Sequence, residues 1–287
     1  MPTFTGSVGI VFASMGSVAA IALSSATPAL GANQALMLNG ISGGVGLPDL
    51  VMSQVLGGEF GTYERTDVPW PQQANPVTGT DGLTLTQSVA VGVTNLDAAI
   101  ATALAKIGPG EHVTVVGLSA GSLVADAELA RLAADPTAAS KSRLDPTLNY
   151  QYKVPVPTKY DTVVVAAEYD GFADFPDRVW NIVAVVNAYA GEILNHVPSV
   201  FTDLSTVSKS DITVTTNSLG GVTTAYFIPD ATLPLVQLLP FLKPYEAQLK
   251  KIVDAGYVRH DPVSAAATPA AAAAVGVVSD GAPATPP

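Results

Sequence analysis

The chain of 287 residues contains no cysteine. This excludes disulfides, a thiol nucleophile and cysteine-bound metal, and leaves the compartment open, since exported proteins also manage without cysteine. Charge is missing from both ends. Residues 1–32 carry no charged side chain, the first Lys or Arg is Arg65, and residues 263–287 carry only Asp280. All 13 basic residues and all but one of the 24 acidic residues therefore lie in the middle of the chain, whose formal net charge is −11. A negative surface argues against nucleic acid and anionic headgroups as partners. Aromatic residues are few, and the two tryptophans, Trp70 and Trp180, belong to no repeated pattern of the kind a sugar platform uses. Cofactor signatures are also missing. The three histidines, His112, His196 and His260, have no H-x-x-x-H or H-E-x-x-H spacing, and there is no P-loop and no G-x-G-x-x-G. Neither cofactor nor metal is expected.

The distribution of charge divides the chain into three parts. Residues 1–32 hold an uncharged, largely apolar run from Ser7 to about Leu23, then a small-residue stretch ending at Ala32. This reads as an export signal or membrane anchor, and an apolar segment packed on the domain is the alternative. Export implies a secreted or cell-envelope protein, with membrane association through this segment. Residues 33–262 have an ordinary globular composition, and residues 263–287 form an Ala/Pro-rich tail expected to be disordered.

In the middle section, Gln34–Asn39 reads as a buried strand opening into a loop with glycines at 40, 43, 44 and 46. Such a loop exposes backbone N–H groups, although a simple turn fits the same letters. A second strand is expected within 62–70. Leu85 to Ile107 has apolar residues at three- and four-residue steps and reads as a helix stopped by Gly108-Pro-Gly110. The next strand begins at His112. This strand–helix–strand order predicts a parallel sheet. A further buried strand is expected at Asp161–Glu168, helices at about 179–193 and 245–255, and a hairpin of two Thr/Val-rich runs around Gly220-Gly221.

Gly117-Leu-Ser-Ala-Gly121 matches G-x-S-x-G between an apolar run and an Ala/Leu-rich helical pattern. In that setting the turn lifts the Ser119 hydroxyl above the sheet edge and aims the following helix N-terminus at an oxyanion beside it. An ordinary strand-to-helix turn is the alternative. An activated serine needs a base and the base a carboxylate. His112 lies five strand residues before the elbow, roughly 16 Å away at the opposite edge. His196 and His260 both follow the serine and an aspartate in the order of α/β-hydrolases. Asp170 and Asp174, past the end of the 161–168 strand, are the carboxylate candidates.

Several blocks together resemble the PE-PPE domain, a mycobacterial serine hydrolase family similar to cutinases and short lipases. They are Thr86–Gly92 with Leu96–Ile100, Gly117–Gly121, Glu168-Tyr-Asp-Gly-Phe-Ala-Asp-Phe-Pro176, His196, and Thr224–Pro229 with Leu233–Leu235. The resemblance covers about residues 34–262. It implies an α/β-hydrolase-like fold with a mostly parallel central sheet flanked by helices; the hairpin at 211–228 and the apolar 233–242 segment themselves read as a lid-like hairpin/helix insertion over a bound acyl chain. It also implies Ser119 as nucleophile, Asp170 as orienting acid and His196 as base, His260 lying outside the shared blocks. The oxyanion donors would be the N–H of Ala120 and one from the 40–44 loop, with Ile41 as the candidate, although that loop differs from the family's usual Gly-Gly-Thr-Gly. No PE or PPE leader is expected ahead of the domain. The implied activity is hydrolysis of short to medium acyl esters through an acyl-enzyme, on an acyl-ester or lipid substrate. The alternatives are transfer of acyl chains between envelope glycolipids such as trehalose esters, and a non-catalytic envelope binding protein.

Overall fold

The computed structural model describes residues 8–10, 18–24, 32–133, 142–145, 150–153 and 157–261. The 263–287 tail and most of the 1–32 segment lie outside the described residues. Ten strands are described: β1 (Val8–Ile10), β2 (Val18–Ser24), β3 (Gln34–Leu38), β4 (Glu64–Asp67), β5 (His112–Leu118), β6 (Ser142–Asp145), β7 (Tyr150–Lys153), β8 (Tyr160–Ala167), β9 (Ile212–Thr216) and β10 (Val222–Ile228). The helices are α1 (Asp49–Met52), α2 (Leu85–Leu104), α3 (Gly121–Leu132), α4 (Ile182–Leu194), α5 (His196–Ser199), α6 (Pro234–Leu238) and α7 (Glu246–Asp254).

Eight strands form the main sheet in the order β4-β3-β5-β2-β8-β10-β9, with β1 pairing β8, while among the described residues β6 and β7 form a separate two-stranded sheet. Strand β3 is parallel to both β4 and β5. Strand β2 is antiparallel to β5 and to β8, so β5 and β8 point the same way, and β10 is parallel to β8. Strand β1 is also parallel to β8, so six strands share one direction, and the loops leaving β3, β5 and β8 gather at one edge, where an open sheet binds its ligands. Part of the N-terminal apolar segment is consequently a strand within the sheet. No helix among the described residues is long and apolar enough to cross a membrane.

Strand β3 is buried along its whole length, as its unbroken apolar run requires. Helix α2 begins where Thr84 and Gln87 exchange side-chain and backbone hydrogen bonds in a capping box. It presents Leu85, Val89, Leu96, Ile100 and Ala103 to the core. A Cβ on Gly92 would fall 2.8 Å from Val124, so this glycine lets α2 and α3 pack closely. A second apolar cluster unites Tyr169, Ala184, Leu233, Val236, Val253 and Tyr257, locking α4, α6 and α7 together.

The hairpin occupies a different place from a lid. Strand β10 pairs with β8 over six residues, Thr223 to Ile228, and β9 forms the sheet edge. The reason is that the Thr/Val run has ladder partners on both sides, which a freestanding flap would leave unpaired.

Candidate active site

Strand β5 ends at Leu118, and Ser119 follows with φ of +51°, a strained value for a residue with a side chain. Both motif glycines are dictated by contact. A Cβ on Gly117 would lie 2.5 Å from Cα of Ser122, and one on Gly121 would lie 2.3 Å from the carbonyl oxygen of Leu38. The serine turn is therefore pressed between its own helix and β3. Helix α3 starts at once, with the Ser122 N–H donating to the Ser119 carbonyl at 2.9 Å.

Strand β8 delivers the carboxylate to the same edge. Glu168 still pairs with β10 through its N–H to the Ile228 carbonyl at 2.8 Å, after which Tyr169 turns the chain at φ of +62°. Asp170 is wholly buried behind this turn. Helix α4 is pushed hard against it. A Cβ on Gly191 would sit 1.9 Å from the Tyr169 carbonyl oxygen, and one on Gly171 would sit 2.7 Å from that of Ala188. Asn195, capping α4, donates to the Glu168 carbonyl and to Asp230, both at 2.9 Å. The residue after this anchor is His196.

These contacts bring three sequence candidates into one series. Nδ1 of His196 lies 2.9 Å and 3.2 Å from the two carboxylate oxygens of Asp170, and Nε2 lies 2.9 Å from Oγ of Ser119. An ionised carboxylate only accepts, so Nδ1 carries the proton and Nε2 is left to accept from the serine hydroxyl. Asp170 also accepts from the Phe172 N–H at 2.9 Å, and the Phe172 ring meets the imidazole edge at 4.7 Å between centroids. The imidazole is thereby fixed in tautomer and tilt.

The 40–44 loop leaves β3 beside this serine. A Cβ on Gly40 would be 2.8 Å from the Ser119 Cβ, so only glycine fits there. Its own N–H is taken by Oδ1 of Asn39 at 2.8 Å, and Ile41 is next in the chain. Several bonds hold the loop in shape. Trp70 donates to the Asn39 carbonyl at 2.9 Å, Asn39 Nδ2 donates to the Val45 carbonyl at 3.0 Å, and Ser42 donates to Gln72. The simple-turn reading of this loop misses that bracing, because Trp70 and Gln72 lie some thirty residues away in sequence. Ala120 opens α3 opposite this loop.

The remaining candidates sit elsewhere. His112 bonds the Tyr63 hydroxyl at 2.8 Å at the far end of β5. Asp174 lies beneath the turn instead of beside the imidazole. It accepts from the Tyr169 N–H at 2.8 Å and pairs with Arg259 at 2.6 Å, while burial pushes its carboxyl up to about 6. His260 faces Asp254 at 3.6 Å and Glu168 at 3.8 Å. Glu168, Asp254 and His260 could present ligand atoms to a cation, but Lys250 and Arg259 already reach the same carboxylates. Burial and the neighbouring carboxylate of Asp254 raise the Tyr169 phenol, whose hydroxyl donates to Asp254 at 2.6 Å. Sequence reasoning missed this partly buried ionic layer under the turn, because Arg259 meets Glu168 and Asp174 from more than eighty residues away in sequence.

A hydroxyl, an imidazole and a buried carboxylate bonded in series at the edge of a parallel sheet define the Ser-His-Asp class of site. The family model of the PE-PPE domain matches residues 61–148 and 144–258, and the chain belongs to that family. Among its relatives in Mycobacterium tuberculosis, the SL1278 acyltransferase Chp1 is 38% identical over 216 residues, covering 68% of this chain and 52% of that protein. The diacyltrehalose acyltransferase Chp2 is 35% identical over 230 residues, 67% of this chain and 62% of the relative. The esterase PE16 is 32% identical over 230 residues, 69% and 43% of the two chains. The chain therefore matches little more than half the length of the first two relatives. No solved structure matches it.

Proposed function

We propose that this protein is a serine enzyme acting on acyl esters through an acyl-enzyme at Ser119, on an α/β-hydrolase-like scaffold. The observation that carries the reading is the unbroken series from Ser119 Oγ through His196 to Asp170. Nε2 of His196 takes the hydroxyl proton as Oγ bonds to the ester carbonyl carbon. Buried Asp170 stabilises the imidazolium and stays ionised. The oxyanion accepts hydrogen bonds from the N–H groups of Ala120 and Ile41, one at the positive end of α3 and one on the braced loop. The imidazolium then returns its proton to the departing alkoxide, and the ester C–O bond breaks. Water attacks the acyl-enzyme and gives its proton to His196, which passes it to Ser119 Oγ as the acyl C–Oγ bond breaks, releasing the carboxylic acid and free serine.

The main activity in this reading is hydrolysis of short to medium acyl esters. Transfer to a sugar hydroxyl is the second reading, favoured by the names of Chp1 and Chp2, both more similar to this chain than the esterase PE16 is. An acceptor hydroxyl competes with water for the same intermediate and wins only where it is held and water is excluded. The test has two parts. A fluorophosphonate probe should label the protein at Ser119, and absence of labelling would overturn the acyl-enzyme. Incubation with an acyl donor and trehalose, followed by mass spectrometry, should then yield mainly free acid; acylated trehalose accumulating faster would assign the protein to transfer.

An envelope location accompanies this reading, supported by the absence of charge ahead of Asn33; residues 18–24 of that segment are strand β2 of the sheet and so stay with the domain. Fractionation of the producing cells should find the protein outside the cytoplasm. Recovery from the cytoplasm with Met1 retained would defeat it.

A further inference from the structure

Helix α4 has an outer face without a charged side chain, its polar groups reduced to the Tyr189 hydroxyl at the tip of an aromatic ring. From residue 179 to residue 201, every exposed residue is apolar or aromatic. On α4 itself, Ile182, Val186, Tyr189 and Ile193 recur at steps of four, three and four, which places them in one line along the helix. Trp180, 75% exposed, stands just ahead of the line, and Val197 continues it on the next helix. The helix has one charged residue, Glu192, and its carboxylate is turned inward, 3.1 Å from where a Cβ on Gly171 would stand. The opposite face, Ala184, Asn187, Ala188, Ala190 and Gly191, is buried. Small residues thus pack the helix onto the catalytic turn while its large apolar residues face out, the reverse of a surface helix in a free-standing soluble domain.

We infer that this face is a docking surface for an uncharged lipid layer, and that it sets the catalytic serine and histidine at the lipid boundary. The inference rests on the acyl-ester reading above and names where its substrate comes from. Position supports it, because Ile193 and Val197 flank His196 in the chain, so the apolar line runs directly to the site. Chemistry supports it as well. Trp180 and Tyr189 are amphipathic rings suited to the boundary between water and acyl chains. Charge selects the kind of lipid. The chain carries a formal net charge of −11 and this face offers no Lys or Arg, so an anionic headgroup layer is repelled and a neutral one is not. Two other occupants fit less well. A second copy brings the same net negative charge, and residues 263–287 contain no Leu, Ile, Met or aromatic residue to fill the gaps between these side chains.

The test uses the full-length Ser119→Ala protein, so that binding is read without turnover. Trp70 is buried and Trp180 is exposed, which makes Trp180 the reporter of any change in tryptophan emission. Vesicles of phosphatidylcholine should shift the emission to shorter wavelength, and vesicles with a third of phosphatidylglycerol should bind more weakly. In an otherwise unaltered chain, Trp180→Ser with Ile193→Ser should lower affinity in vesicle sedimentation by about a hundredfold, the scale of withdrawing two large apolar side chains from lipid. Leu219→Ser, at the exposed hairpin tip, should change nothing, and both variants should hydrolyse a soluble short ester as the parent does. The inference is overturned by emission unmoved by phosphatidylcholine, by stronger binding to the anionic vesicles, or by affinity that survives the double substitution. A concentration-dependent dimer abolished by the double substitution would assign the face to a second copy instead. Loss of soluble-ester hydrolysis in the parent protein would defeat the catalytic reading and leave the vesicle result standing.

Discussion

The backbone N–H of Tyr169 donates to Oδ2 of Asp174 at 2.8 Å, so the carboxylate that does not touch the imidazole holds the turn carrying the one that does. Arg259 lies on the other side of Asp174 at 2.6 Å and stacks over the Tyr257 ring at 4.0 Å. Asp174 is therefore a positioning residue for Asp170. Its folded carboxyl keeps a proton until about pH 6, whereas an unfolded one releases it near 3.8. Between those values the folded state binds more protons, so stability falls as the pH rises through that window. The loss is on the order of 2–3 kcal/mol. Denaturant unfolding at pH 4, 5, 6 and 7 should show a steeper decline in the parent than in Asp174→Asn, because Asp67, Asp126 and Glu128, also raised by burial, contribute to the decline in both. Equal pH profiles would remove Asp174 from this role.

Activity should separate the carboxylates and the histidines. His196→Ala and Asp170→Asn should each lower kcat by about 10⁴, the scale of losing the base or its tautomer. Asp174→Asn keeps an acceptor for Tyr169 N–H but gives up the ion pair with Arg259, and should cost only about tenfold in kcat with KM little changed. His260→Ala should leave kcat within a few-fold, because its partners are Glu168 and Asp254. A dead His260→Ala beside an active His196→Ala would transfer the base to the other cluster.

Much of this was legible in the chain, for local reasons. The elbow was readable because strand, tight turn and helix lie within fifteen consecutive residues. His112 could be set aside by strand length alone, and it lies at the far end of β5. Asp170 and Asp174 could not be told apart from spacing, because both follow the same strand within seven residues. They differ through Tyr169 at positive φ and through Gly171 and Gly191 meeting α4, contacts between segments about twenty residues apart. The hairpin was readable from its Thr/Val runs, but its place in the sheet depends on the register of β10 against β8, some sixty residues earlier. The place of β2 between β5 and β8 had no local sign either, since an apolar run reads equally as an export segment or a sheet strand.

The strain at Ser119 gives a prediction that a contact list would miss. At φ of +51° any side chain with a Cβ costs free energy that glycine does not. Ser119→Ala and Ser119→Gly should both be inactive, but Ser119→Gly should be the more stable by about 1 kcal/mol. Thermal unfolding of the two variants side by side decides it. Equal midpoints, or a less stable glycine variant, would mean that the turn stores no strain at the nucleophile.

Gly191 offers the sharpest test of how the site is assembled. It is a glycine inside α4, where alanine would ordinarily stabilise the helix by about 0.5–1 kcal/mol. Here a Cβ would sit 1.9 Å from the Tyr169 carbonyl oxygen, a backbone atom that cannot swing aside. Either α4 must lift or the 169–171 turn must shift, and both move Asp170 relative to His196. Gly191→Ala should therefore reverse the usual sign and destabilise by about 2 kcal/mol or more. It should also lower kcat by at least about tenfold, since a displacement near 1 Å is enough to misalign a triad. Ala190→Gly, at the neighbouring position on the same helix, should lose stability to helix propensity but keep its kcat. A Gly191→Ala protein that is as stable and as active as the parent would show that α4 does not set the distance between Asp170 and His196.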